Sequence, residues 1–102
     1  SYLDKIENML FDFQSDANLG TLAEKLGLST RQTSRILLKN YNATFSDMLC
    51  QRRLDIAGTL LRNTDMTVAE IVEYVNFPSE SYFYARFKKR YKMTPATYRK
   101  TR

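Results

Sequence analysis

The 102-residue chain contains no histidine, no tryptophan and only one cysteine, Cys50. A lone cysteine excludes a disulfide within the chain, and the lack of histidine excludes zinc sites of the Cys/His type. No apolar run approaches the ~20 residues that span a bilayer, and the first residues do not have the pattern of a signal peptide. We therefore expect a protein of the reducing cytoplasm that crosses no membrane and needs no cofactor.

Glycine and proline are also scarce, with three and two residues respectively. No window alternates apolar and polar residues with the period of two that marks a half-buried strand. The apolar residues recur at helical spacing instead, so the sequence predicts an all-α fold. A hydrophobic content of 43% is enough for one compact domain or two very small lobes.

Positive charge is what the chain has in excess, with a net charge of +5 and an isoelectric point near 9.5. Residues 1–28 carry two basic and five acidic side chains, whereas residues 29–102 carry fourteen basic and six acidic ones. This balance favours nucleic acid or a membrane surface as partner, and it predicts an anion-binding surface that begins at Ser29. The eight Lys and Arg residues between 86 and 102 have an alternative interpretation as a solvated helix face with a frayed tail.

One short pattern occurs twice, in residues 22–29 and 71–79, and each copy precedes a basic helical stretch. The copies stay in register at an offset of 49 up to Phe77 and at an offset of 50 from the serines onward, because Pro78 is inserted. A short helix, a tight turn and a second polar helix form a helix-turn-helix unit. Two such units in one small chain indicate double-stranded DNA rather than a membrane.

Capping signals divide the chain into seven predicted helices. Leu3, Ile6, Leu10 and Phe13 define the first, which ends in the polar stretch 14–18, and the second covers about 19–26. Gly27 suits a left-handed turn. The remaining helices are expected to begin after capping residues Ser29 (with Gln32), Thr44 (with Asp47), Thr67 (with Glu70), Ser79 and Thr94, the last followed by Pro95.

These helices group as three, one and three. We predict a helix-turn-helix subdomain over 1–43, a connector helix over 44–63 that ends near Asn63, and a second helix-turn-helix subdomain over 64–102. The recognition helices cover about 30–40 and 79–91. At 100° per residue, Thr33 and Leu37 point inward in the first of them, as do Phe83, Phe87 and Tyr91 in the second.

The opposite face of the first recognition helix carries Arg31 and Arg35 one turn apart. Arginine donates two parallel hydrogen bonds to guanine O6 and N7, so these two are the strongest candidates for base reading. The alternative is that they only solubilise an exposed helix. The predicted phosphate-binding residues are Ser29, Thr30, Lys39, Ser79, Lys88, Lys89 and Lys92.

From Leu19 to Arg99 the chain resembles the DNA-binding domain of the AraC/XylS transcription regulators. The matching residues are Leu22-Ala23, Ser29, Arg35, Arg53-Leu54, Ala57, Leu60-Leu61, Ile71, Phe77, Ser81-Tyr82-Phe83, Phe87-Lys88-Lys89, Thr94-Pro95 and Tyr98-Arg99. The resemblance implies two recognition helices in successive major grooves and a function in transcriptional control, most often activation. Together with the helix faces, it places base reading on Arg31, Gln32, Ser34, Arg35, Glu80, Ser81, Tyr84 and Ala85.

Two departures from the family pattern lead to further expectations. Ala85 stands where the second recognition helix usually has arginine, so we expect the first unit to supply most of the base readout. The second unit would then supply phosphate anchoring, shape readout and apolar contact with thymine methyl groups. Lys92 replaces a glycine, which predicts a different turn before Thr94. Glu80 has two interpretations, a contact with a cytosine amino group or a favourable charge at the helix N-terminus.

Two other functions compete with DNA binding. An enzyme is disfavoured because the sequence shows no histidine, metal cluster or phosphate-binding glycine loop. A protein-interaction module is the more serious alternative, in which the acidic first helix docks on a sensor domain or on RNA polymerase. The resemblance also implies a covalently attached sensor or dimerisation domain that this chain lacks.

Overall fold

The computed structural model describes all residues 1–102 and contains seven α-helices and no strand, which confirms the predicted fold class. The helices are α1 (Tyr2–Phe11), α2 (Leu19–Leu26), α3 (Thr30–Tyr41), α4 (Phe45–Asn63), α5 (Val68–Tyr74), α6 (Glu80–Tyr91) and α7 (Pro95–Arg99). The chain forms two compact units, unit 1 (Ser1–Arg52) and unit 2 (Arg53–Arg102). Their boundary lies within α4. The predicted boundaries 1–43, 44–63 and 64–102 stay a prediction.

Side-chain caps explain where the helices begin. Ser29 and Gln32 form a capping box on α3, in which the Ser29 amide donates to Gln32 Oε1 at 3.0 Å and the Gln32 amide donates to Ser29 Oγ at 3.1 Å. Thr67 and Glu70 form the same box on α5, with distances of 2.9 and 3.1 Å. Each box satisfies two amide groups that have no partner within the helix. Both boxes were predicted from the sequence.

The core of unit 1 is mainly aliphatic, and it is formed by α1, α2, α3 and the first turns of α4. Its buried members are Ile6, Leu22, Leu26, Leu37, Phe45 and Leu49. The prediction that α1 extends to Phe13 was wrong, because the helix ends at Phe11 and Asp12 has non-helical dihedral angles of −83° and 60°. Phe13 still packs against the core, from the loop that follows.

The core of unit 2 contains a row of aromatic rings along α6. Phe87 stacks on Tyr91 with ring centroids 4.4 Å apart, and Tyr91 lies 4.6 Å from Tyr98. The Tyr91 hydroxyl donates to the Leu54 carbonyl at 3.2 Å, and burial raises the pKa of this tyrosine. Gly58 permits this packing, because a Cβ atom there would lie 2.8 Å from Tyr91 Oη.

Four turns place a residue in the left-handed region. Gly27 has φ of 70°, as predicted, and the other three positions are Asn42 (53°), Asn76 (61°) and Lys92 (63°). The expectation that Lys92 changes the turn before Thr94 was wrong. Lys92 caps α6 through a 2.8 Å bond from its amide to the Lys88 carbonyl, just as Asn42 caps α3 through the Leu38 carbonyl at 3.0 Å. Lys92 thus makes the hydrogen bond that ends the helix in a left-handed conformation that has a steric cost for its Cβ.

Candidate nucleic-acid interface

The two helix-turn-helix units have the same turn at the level of backbone hydrogen bonds. In unit 1 the Leu28 amide donates to the Ala23 carbonyl at 3.0 Å, and in unit 2 the Phe77 amide donates to the Val72 carbonyl at 3.0 Å. The amides of Gly27 and Asn76 each donate three residues back, both at 3.1 Å. The sequence repeat is therefore a repeat of structure.

Burial of one side of α3 determines which residues face outward. Thr33 and Leu37 are buried, and the Thr33 hydroxyl donates to the Ser29 carbonyl at 2.8 Å, so this polar side chain is satisfied inside the core. On the opposite side Arg31 and Arg35 are exposed, and neither guanidinium is paired with a carboxylate. The other predicted contacts on this helix are Thr30, Gln32 and Lys39, which are exposed, and Ser34, which is half-buried.

Some side chains that are predicted to contact DNA also form the capping hydrogen bonds of α3 and α6. The side-chain oxygen of Gln32 accepts a hydrogen bond from the Ser29 amide, so its NH2 group remains available to donate to a base. The hydroxyls of Ser29 and Ser79 accept from the amides of Gln32 and Tyr82, both at 3.1 Å. Each hydroxyl retains its proton, which is what a phosphate oxygen would accept.

The outer face of α6 has a different chemistry from that of α3. Phe83 and Phe87 are buried, and the exposed residues opposite them include no arginine. Glu80 is the first residue of the helix, a position where a carboxylate interacts favourably with the helix dipole. The predicted contacts Glu80, Ser81, Tyr84, Ala85, Lys88 and Lys89 are exposed, as are Ser79 and Lys92 at the ends of the helix.

Of the neighbouring aromatic residues Tyr82 and Phe83 only Tyr82 is exposed, so the two rings do not form a joint surface for stacking on bases. Phe83 is fully buried, and Tyr82 lies against Phe77 with ring centroids 5.6 Å apart. The Arg86 guanidinium lies 5.9 Å from the centre of the Tyr82 ring. These aromatic residues serve packing in unit 2.

The basic run at 86–102 is neither a uniform solvated face nor a frayed tail. Arg90 pairs with Asp55 at 2.5 Å. Arg99 donates to the Leu61 carbonyl at 3.0 Å and also to the Met66 carbonyl, and Arg102 donates to the Thr64 carbonyl at 3.0 Å. Three of the eight cations therefore hold α4, α6 and the chain end in place. Lys88, Lys89 and Lys92 form no ion pair and stay exposed.

One further exposed residue on the outer face of α3 was not among those predicted from the sequence. Leu38 is 54% exposed, and it follows Arg35 by one helical turn. At 100° per residue it projects close to Arg31, so the same helical projection that selected the arginines also identifies it.

Acidic side chains lie near the far end of α3. Burial raises the pKa of Tyr41, and the charges of Glu7 and Asp4 on α1 raise it further. The charges of Asp4 and Glu7 thus act on the C-terminal end of α3.

The structure contains no group of three or more His, Cys, Asp or Glu side chains placed to hold a metal ion. None of its helices combines the length and apolar character needed to cross a membrane.

The two matching helix-turn-helix units agree with the family to which this sequence is similar. Residues 22–101 match the helix-turn-helix domain family of the AraC type. The chain belongs to this family. It is therefore a DNA-binding domain of a transcription regulator. The family as a whole consists of such regulators and is not a class of enzymes.

Individual relatives support this assignment. The xylose operon regulatory protein of Haemophilus influenzae is 31% identical over 81 residues, which cover 79% of this chain and 21% of that protein. The transcriptional activator CfaD of Escherichia coli is 30% identical over 95 residues, covering 92% of this chain and 36% of that protein. The C-terminal domain of the response regulator yesN from Fusobacterium nucleatum superposes with a TM-score of 0.85 at 38% identity, over 92% of this chain and 93% of that one.

The chain thus spans about a fifth of the length of the xylose regulator and about a third of that of CfaD. The family match covers residues 22–101 of the 102 in this chain, and most of each of these two relatives lies outside the matched region.

Proposed function

We propose that the domain reads double-stranded DNA unevenly, with α3 of unit 1 as its principal base reader. The observation that carries this proposal is the pair of exposed arginines, Arg31 and Arg35, neither of which is paired with a carboxylate. At the same positions of the repeat, α6 has Ser81 and Ala85. Arginine contacts with guanine are the commonest specific contacts in a major groove. Ser34 and the NH2 group of Gln32 add further hydrogen-bonding capacity beside them.

In this proposal α6 serves mainly to anchor unit 2. The exposed ammonium groups of Lys88, Lys89 and Lys92 contact phosphates, and the Ser79 hydroxyl donates to another. Tyr84 and Ala85 offer apolar surface to thymine methyl groups, and Ser81 and Glu80 offer polar atoms to other bases. On α3 the phosphate contacts come from Ser29, Thr30 and Lys39.

The proposal extends to regulation. The similarity to a transcriptional activator supports activation as the outcome of DNA binding. The length of both curated relatives outside the matched region supports a covalently attached sensor or dimerisation domain. RNA polymerase is the partner that activation requires, and binding to genomic DNA supports a location in the cytoplasm.

Selection of bound sequences from a random duplex library tests the DNA-reading proposal. We expect enrichment of two half-sites about one helical turn apart, of which one is sharply defined and guanine-containing and the other is degenerate. The variant in which both Arg31 and Arg35 are replaced by alanine should lose the sharp half-site and keep the weaker one. Uneven reading would be contradicted if both half-sites were equally selective for base sequence, or if no sequence were enriched.

Protein docking through α1 is the second candidate function. Phe11 is 74% exposed at the end of α1, Tyr2 and Leu3 are also exposed, and Asp4 and Glu7 give the helix an acidic character. Exposed apolar side chains of this kind are typical of a docking helix. A fluorescence titration with random duplex DNA at low and high salt separates the two functions, because only DNA binding is steeply salt-dependent.

A further inference from the structure

Leu38 is a large apolar side chain on the outer face of α3, and 54% of its surface is exposed. Seven residues separate it from Arg31, which is close to two full turns, so the two side chains project in directions that differ by about 20°. It also lies one turn beyond Ser34 and Arg35. An exposed leucine therefore stands among the side chains proposed to read bases.

The second unit has a lysine at the same position. The offset of 50 that pairs Ser29 with Ser79 also pairs Leu38 with Lys88. The register persists to the end of both helices, since Asn42 and Lys92 are paired by the same offset and both adopt a left-handed conformation. Unit 1 thus has an apolar group where unit 2 has a cation suited to phosphate.

The chemistry of the major groove limits what a leucine can contact there. Leucine has no donor or acceptor, and the apolar group that a base pair presents in this groove is the C5-methyl of thymine. Contact between the two removes apolar surface of both from water. Purines present polar atoms at their major-groove edge, and cytosine has an amino group but no methyl group, so neither offers an equivalent contact.

We infer that Leu38 is a specificity-determining residue that contacts the methyl group of a thymine within the half-site read by α3. This inference rests on the proposed function, since it requires α3 to lie in the major groove. It adds apolar readout to a helix whose other readers, Arg31, Ser34 and Arg35, are polar. The preferred half-site then combines guanine with a thymine whose methyl group is needed for full affinity.

Replacement of thymine by deoxyuridine tests the inference, because it removes only the methyl group. The probe is the duplex obtained from the random-library selection, with each thymine of the sharp half-site replaced singly. At one of these positions we expect the replacement to weaken binding of the unaltered chain by about three- to fivefold, the factor expected for one buried methyl group. The Leu38→Ala variant should show no such penalty there.

Two further variants complete the experiment. Leu38→Met keeps an apolar side chain of similar volume and should retain the penalty. Leu38→Lys introduces the residue of unit 2 and should abolish the penalty while making binding more salt-dependent. Because residue 38 is exposed, we expect the helical circular-dichroism signal of all three variants to match that of the unaltered chain.

The outcomes separate the inference from the function on which it rests. If deoxyuridine weakened binding equally for the unaltered chain and for Leu38→Ala at every thymine, the inference alone would be overturned. The exposed Leu38 side chain would then be a candidate contact for a protein partner. A sharp half-site without any methyl-sensitive thymine would do the same. A chain that selects no sequence would overturn both the uneven reading of DNA and the inference.

Discussion

At the scale of single residues, the two recognition helices differ where they face outward and agree where they face inward. Arg31 and Arg35 of α3 correspond to Ser81 and Ala85 of α6. The buried side of each helix is apolar or internally hydrogen-bonded, and both helices end on a left-handed cap. Packing therefore constrains one side of each helix and leaves the other side free to differ between the two units.

Replacing Arg35 by alanine should weaken binding to the cognate duplex by about 1 to 3 kcal/mol and relax selectivity at one base position. The reason is the loss of a bidentate hydrogen bond to guanine. Binding constants measured on the cognate duplex and on single-base variants check this. Arg62→Ala removes the same charge from α4 and should leave selectivity unchanged. An equal loss of affinity by Arg35→Ala for cognate and random DNA would assign this residue to phosphate.

Replacing Lys92 by glycine should raise the free energy of unfolding by up to about 1 kcal/mol, because φ of 63° is strained for lysine and easy for glycine. Asn42→Gly should give a smaller gain, since asparagine tolerates this region better. Urea denaturation measures both effects. If Lys92 also contacts phosphate, Lys92→Gly should bind DNA more weakly although it is more stable. A loss of stability would contradict the expected relief of strain.

At the scale of helices, the residues at which helices begin could be predicted from the sequence, whereas contacts between residues far apart in the chain could not. The capping boxes of α3 and α5 join residues three apart, so they are visible in the sequence. The pair of Arg90 with Asp55 spans 35 residues, and the close approach of Gly58 to Tyr91 spans 33. No local pattern signals contacts at such a separation, because they depend on how α4 and α6 pack.

The capping box of α5 should make stability depend on pH. Hydrogen bonds from the Thr67 amide and the Thr67 side chain lower the pKa of Glu70 below its ordinary value. A carboxylate with a lowered pKa in the folded state stabilises at neutral pH, and this contribution is lost as the pH falls through that pKa.

Glu70→Gln should therefore reduce the acid sensitivity of the free energy of unfolding, measured between about pH 3 and pH 6. Glutamine is a suitable replacement, because Gln32 forms the same box on α3 with the Ser29 amide at 3.0 Å. The reciprocal variant Gln32→Glu should introduce acid sensitivity into unit 1. Parallel pH profiles for Glu70→Gln and the unaltered chain would contradict this role of the carboxylate.

Gly58→Ala should destabilise unit 2 by about 1 to 2 kcal/mol. An added Cβ would lie 2.8 Å from Tyr91 Oη, and the cost of overpacking exceeds the gain in helix propensity. Thermal unfolding checks the sign. In a double-mutant cycle, Tyr91→Phe should recover part of the loss, because it removes the nearest clashing atom. Stabilisation by Gly58→Ala would show that Tyr91 moves away at little cost.

At the scale of the whole molecule, charge is distributed unevenly along the chain. Residues 1–28 carry a net charge of −3 and residues 29–102 one of +8. Part of the positive charge serves the fold, through Arg90, Arg99 and Arg102, so net charge overstates the cations available to DNA. The exposed lysines of α6 and the arginines of α3 remain the main candidates for electrostatic contacts with DNA.

Lys88→Ala should weaken binding to every DNA sequence by a similar factor and flatten the plot of log K against log salt by about one unit. The cause is the loss of one phosphate contact and of the counterion that it releases. Titrations of cognate and random duplexes at several salt concentrations measure the slope. Lys5→Ala removes the same charge from the acidic helix α1 and should leave the slope nearly unchanged. A sequence-dependent loss would assign Lys88 to base reading.

Sequence alone predicts the number of helices, the residues that cap their N-termini, the repeat of two helix-turn-helix units and the residues that face outward on α3 and α6. These features depend on contacts between residues a few positions apart, or on the spacing of apolar side chains along one helix. Two features appear only once the helices are packed together: which cations serve the fold, and that Lys92 adopts a left-handed conformation. Those outcomes depend on what packs against each side chain, and a helical pattern does not contain that information.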